Sequence, residues 1–172
     1  MADEREADGA AWLTPEQRRA WVTFVLASGA VMDGLDRRLQ RDAGINRSHF
    51  SILQFVSMAD GTARMSDVAA GLRFSPSRLS HAVGRLERDG WLERRPDPND
   101  GRGQLVAITP VGEQRIHEIA PRHIADVRAR LFDHLTDEQV AQLQSICDAI
   151  LAGLDQPADE ATGGRGLDVS TT

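Results

Sequence analysis

The sequence contains no lysine, and all 20 of its basic residues are arginine. Arginine's planar fork suits bidentate contacts with phosphate and guanine, but so complete an exclusion of lysine is better read as genome composition than as function. There is one cysteine, Cys147, so no intrachain disulfide can form, as expected in a reducing compartment. No stretch approaches the roughly 18 apolar residues that cross a bilayer. The opening MADEREADGAAW is acidic and lacks the basic and apolar regions of a signal peptide. A cytoplasmic protein with no membrane partner is expected. Glycine-rich phosphate loops, a nucleophile elbow and the histidine–acid motif of metalloproteases are all missing, which argues against an enzyme and against a cofactor. His117, His123 and His134 are spaced 6 and 11 residues apart, not at the i, i+4 of a helical metal pair, so no metal site is expected. There is no internal repeat.

What is present is enough apolar material for a packed core: 41% of 172 residues. The net charge of −6 is concentrated at the ends. Residues 1–10 and 155–172 each carry four acids and one arginine, so the body between them is neutral. The expected organisation is a loose acidic N-terminus over 1–12, a domain over 13–154 and a disordered acidic tail over 155–172.

Within the domain the expected order is α-α-(β)-α-α-β-β-α-α, a mainly α (α+β) fold. Thr14, Pro15 and Gln17 open a helix with a capping box, and Trp21, Phe24, Val25, Val31, Met32, Leu35 and Leu39 recur at helical spacing to about Asp42. A second helix spans about Asn46–Met58. A short helix with Ser66 as its cap covers Ser66–Leu72, and Ser75-Pro76 starts another that runs to Asp89. Gly90 is placed as the left-handed residue that ends it. Trp91–Arg95 and Gln104–Ile108 read as strands, joined by a long charged connection. Thr109-Pro110 opens a helix whose stripe runs from Ile116 through Ile119, Ile124, Val127 and Leu131 to Leu135, with Pro121 as a kink. The Thr136–Gln139 capping box opens the last helix.

Residues 62–108 carry the functional signal. Short helix, tight turn, second helix and hairpin make a winged helix-turn-helix. Leu79, Ala82, Val83 and Leu86 fall on one face of the second helix. Ser77, His81, Gly84 and Arg88 fall opposite, with Arg78 and Arg85 on the flanks. A helix in the major groove wants short polar or forked side chains at base edges and arginines at phosphates. The residues expected at double-stranded DNA are Ser75, Ser77, Arg78, His81, Arg85 and Arg88 from the helix, and Arg95, Asp100 and Arg102 from the wing. Arg102, beside two glycines, would reach a minor groove with Asp100 steadying it. The plainer alternatives are a solvated amphipathic helix and a surface ion pair worth under about 1 kcal/mol. Gly84 either admits close approach of DNA or is neutral.

The run Leu86-Glu87-Arg88-Asp89-Gly90-Trp91-Leu92-Glu93-Arg94-Arg95-Pro96-Asp97-Pro98-Asn99-Asp100-Gly101-Arg102 resembles the signature of the MarR family: helix end, glycine, apolar pair, basic pair, Pro-Asp-Pro and an Asp-x-Arg wing tip. Ile108-Thr109-Pro110-Val111-Gly112 resembles the segment that follows that wing. Gly101 departs from the pattern, since the family often has a second arginine there. The resemblance implies a homodimer in which helices over 13–42 and 109–154 flank the winged helix-turn-helix of 46–108 and interleave with a partner. It further implies a repressor on a pseudo-palindrome, released by a small aromatic ligand.

Trp21, His49 and Phe50 are candidates for lining such a ligand pocket, although residues of these types more often serve as core or dimer contacts. Cys147 sits in an apolar stripe and reads as packing, not as the peroxide sensor found in one branch of the family. The neutral body, Gly101 and the acidic tails leave one competing reading: an interaction protein that keeps the dimeric fold without binding DNA.

Overall fold

The computed structural model describes residues 12–98 and 100–155. The ends expected to be loose, 1–12 and 155–172, fall almost wholly outside the described residues. The chain divides after Leu131 into two compact units. The first holds α1 (Pro15–Ala43), α2 (Arg47–Met58), β1 (Thr62–Arg64), α3 (Met65–Gly71), α4 (Pro76–Arg88), β2 (Leu92–Asp97), β3 (Asp100–Ile108) and α5 (Pro110–Arg130).

The caps fix where these helices begin. Thr14 and Gln17 form the reciprocal box at the start of α1, and Gly44 closes that helix at φ 70°. Asn46 caps α2 through the His49 amide, and Thr109 caps α5 through the Gly112 amide. Helix α3 departs from expectation. It starts at Met65, one residue early, with no side-chain cap, and Ser66 Oγ instead reaches Asp67. The preceding residues are drawn into a strand, so the helix begins where β1 ends.

The sheet has the order β1-β3-β2, antiparallel throughout. Its hairpin strands run further toward the tip than the sequence indicates. Pro96 pairs with Gln104 and Asp97 with Asp100, with a register shift between them. Pro96, Gly101 and Gly103 there read as loop, but they are held in β2 and β3 around the bulge.

One apolar cluster fills the space between sheet and helices. It includes Phe50, Leu53 and Val56 of α2, Val68 of α3, Leu79, Val83 and Leu86 of α4, Leu92 and Val106 of the sheet, and Ile116 and Ile119 of α5. Burying each large side chain contributes about 1.5–3 kcal/mol, against at most about 1 for an exposed ion pair, so this cluster holds the module together. Helix α5 continues through Pro121. The proline removes the amide that would meet the His117 carbonyl, and His117 is exposed to water.

The second unit begins at Phe132. A 3-10 turn, Phe132–His134, replaces the expected last turn of the preceding helix, which ends at Arg130 and not at Leu135. Thr136 and Gln139 then form their capping box, and α6 (Asp137–Asp155) follows. Val140, Leu143 and Cys147 are half-buried there, while Ile146, Ile150, Leu151 and Leu154 are exposed.

Candidate nucleic-acid interface

The recognition helix is set by its own amphipathicity. Leu79, Ala82, Val83 and Leu86 are buried, which forces the opposite face of α4 outward. Ser75 caps the helix through the Arg78 amide at 3.3 Å, and its hydroxyl lies 3.3 Å from that of Ser77. Ser77, His81, Arg85 and Arg88 are all exposed. Arg85 is paired with Asp89 one turn on, at 3.1 Å. Arg78 turns away from the face. Its guanidinium donates to Ser48 Oγ of α2 at 3.0 Å and lies 4.1 Å over the Phe74 ring.

The wing is fastened to this helix by residues the sequence reading did not single out. Arg94 Nη2 donates to the Ser80 carbonyl of α4 at 2.7 Å, and the Arg94 amide donates to Glu87 Oε1 at 3.1 Å. The guanidinium also lies 3.5 Å from Glu87 Oε2. Asp97, nearly fully buried, pairs with Arg64 of β1 at 2.9 Å, tying the outer end of β2 to the far edge of the sheet. Strand alternation carried the signal. Arg94 shares a face with buried Leu92, and a charge on a core-facing position needs a partner.

Among the expected wing contacts, Arg95 is exposed and paired with Glu93. Asp100 is exposed at the start of β3 and lines a cleft with Arg64, Ser80 and Asp97. Arg102 lies in β3, but its side chain is outside the described residues, and with it the expected Asp100–Arg102 pairing. Gly84 is half-buried, and a Cβ built there would meet only the Arg94 guanidinium, at 3.8 Å.

The candidate pocket residues are not gathered around one cavity. Trp21 is 57% exposed on α1 and leans on Phe24, with ring centroids 6.3 Å apart. Phe50 is buried against the His123 ring of α5 at 4.3 Å. His49 is half-buried beside α4. Burial, and then the positive charge of Arg85, hold its imidazole below the ordinary value, with Asp89 opposing. None of the three lines the cavity of about 300 Å³ between α1 and α5, whose walls include Leu39, Ile119 and His123. Burial likewise lowers His123, with Asp126 opposing.

A buried-faced second helix, a tight turn and a wing strapped to that helix define a winged helix-turn-helix module. The sequence profile of the MarR family matches residues 43–103. Over 73 residues the chain is 38% identical to the multiple antibiotic resistance protein MarR of Salmonella typhimurium, covering 42% of this chain. That alignment spans 51% of the relative, about half its length. The structure is similar to Sco3205, a MarR family transcriptional regulator of Streptomyces coelicolor solved in complex with DNA. The TM-score is 0.83 and the identity 38%, over 88% of this chain and 94% of that one. AbsC, a MarR family transcriptional regulator of the same organism, gives a TM-score of 0.81 and 31% identity over 84% and 98% of the two chains. The chain belongs to the MarR family of transcriptional regulators.

Proposed function

We propose that the protein is a sequence-specific DNA-binding transcription regulator that works as a homodimer. The carrying observation is the outer face of α4. Ser77, His81, Arg85 and Arg88 stand exposed along it, and Arg94 fixes the wing beside it. Seated in a major groove, that face presents hydroxyl, imidazole and guanidinium groups to base edges and phosphates, while the wing tip follows the backbone toward the minor groove. In a two-fold dimer the two α4 helices lie about 34 Å apart, one DNA turn, so the operator is a pseudo-palindrome. Such a dimer seated on a promoter blocks transcription, which makes the protein a repressor of its own or a neighbouring promoter. The α1–α5 cavity, about 300 Å³, is large enough for a small aromatic effector whose binding releases the DNA.

The test is binding to the DNA that flanks its own gene, measured over a range of salt concentrations. A specific complex with a two-fold footprint, weakening steeply as salt rises, is the expected result. A confirmed dimer that binds no DNA specifically, and holds a protein partner with little salt dependence, would favour an interaction protein on the same fold.

A further inference from the structure

The clefts of the first unit differ in charge. The cavity between α1 and α5 sets Arg38, Arg115 and Arg122 against Asp42, Glu118 and Asp126. The cleft under the wing sets Arg64 against Asp97 and Asp100. A third, of about 280 Å³, is lined by Arg47, Ser48, Ser51, Arg73, Phe74 and Arg78, and no carboxylate is among its lining residues. Its walls are the first turns of α2 and α4 and the turn between α3 and α4.

The basic groups here are held in place. Arg78 is fixed by Ser48 Oγ at 3.0 Å and by the Phe74 ring at 4.1 Å. Arg47 starts α2; its backbone amide donates to Asp36 Oδ1 at 2.8 Å, and its guanidinium is held against Met32 Sδ of α1 at 2.9 Å. Arg73, which lines the cleft, adopts φ 52°, a left-handed conformation that favours glycine, and so accepts backbone strain. Helices α2 and α4 meet the cleft near their amino ends, through Arg47 and Ser48 and through Arg78.

We propose that this cleft binds a backbone phosphate of the DNA duplex, beside the base-reading face of α4. The assignment rests on the DNA-binding reading above and extends its footprint to α2 and to the α3–α4 turn. Guanidinium groups supply only donors, and a phosphodiester's unesterified oxygens only accept, so the match is of charge and of hydrogen-bond sense. A phosphate contact carries no base information, so it strengthens binding to every sequence alike and fixes the depth at which α4 sits. Free inorganic phosphate offers the same chemistry, and the test separates the two sources.

Salt-dependence series for the full chain, Arg47→Gln and Arg73→Gln are run on operator and on unrelated duplex, with circular dichroism confirming that each variant is folded. Each variant is expected to lower the slope of log affinity against log salt by about 1 per bound subunit, equally on both DNAs, leaving the ratio between them unchanged. Unaltered slopes in both folded variants, with the full chain binding DNA normally, overturn the cleft assignment alone. Failure of the full chain to bind DNA at all overturns the regulator reading and the cleft assignment together. The phosphorus resonance of inorganic phosphate, titrated with the same proteins, supplies the other arm. Broadening that Arg47→Gln and Arg73→Gln abolish, alongside unaltered salt slopes, makes the cleft a free-anion site and overturns the DNA assignment.

Discussion

Two glycines show how differently a missing side chain can matter. Gly112 is the third residue of α5, where helix propensity favours alanine by about 1 kcal/mol. A Cβ there would run into the carbonyl of Trp91 and crowd the Ile108 side chain at 2.9 Å. The close passage of α5 over the start of the wing therefore outweighs propensity. Gly112→Ala is expected to destabilise by about 1–3 kcal/mol, read as a lower urea midpoint with an unchanged slope. An unmoved midpoint would show that the backbone yields at no cost. Gly84 is the opposite case, because a Cβ there meets nothing nearer than the Arg94 guanidinium at 3.8 Å. Gly84→Ala is expected to raise stability by about 0.5–1 kcal/mol. Operator affinity measured on the same variant decides between the two readings of this residue. A loss means DNA approaches the helix backbone there, and no change means the position is neutral.

At the scale of elements, Arg94 joins β2 to α4 through Ser80 and Glu87. Both Arg94 and Glu87 are less than a third exposed, so truncating the arginine leaves charge and carbonyl poorly matched. Arg94→Ala is expected to cost about 1.5–3 kcal/mol in urea unfolding and to weaken operator binding further by freeing the wing. Loss of stability without any extra loss of affinity would mean the wing holds its place by packing alone. Histidines give the elements a second test. Burial lowers His49 on α2 and His123 on α5, so the unfolded chain binds their protons more readily. Their contribution to stability is complete above the unfolded value of about 6.5 and is lost as pH falls through it toward the lower folded values. The urea midpoint should fall from pH 7.5 to pH 5.5, and His123→Asn should shrink that difference; an equal difference in the variant would clear His123. These elements were largely legible in the sequence. Thr14, Asn46, Ser75 and Thr109 mark helix starts, and Gly90 takes φ 75° after α4 as its place before Trp91 requires. The wing was legible only in part, because Pro96, Gly101 and Gly103 signal loop while pairing across a bulge keeps them in strands. The Arg78–Ser48 contact spans 30 residues, and no helical wheel of α4 alone can show it.

For the whole molecule, the apolar surface outside the core decides what a second copy has to cover. Helix α1 leaves Trp21, Phe24 and Leu26 exposed, Leu26 at 68%, and Trp12 is exposed just ahead of it. Helix α6, in its own unit, leaves Ile146, Ile150 and Leu154 exposed. Monomeric proteins rarely tolerate contiguous patches beyond a few hundred Å² of this kind, which supports the proposed homodimer, in which a second copy would supply the matching apolar face. In the proposed dimer, pairing would also set the affinity. One α4 binds a half-site weakly, and linking two converts the second encounter into an intramolecular one, worth about 10²–10⁴ in apparent affinity. Phe24→Asp places a charge in the α1 stripe without touching the core cluster. It is expected to sediment as a folded monomer, against the dimer expected of the parent chain, and to lose operator affinity by about that factor. A variant that stays dimeric would move the interface away from α1. A monomer with full affinity would show that one recognition helix and one wing suffice, and the two-fold operator would then have no physical basis in this chain.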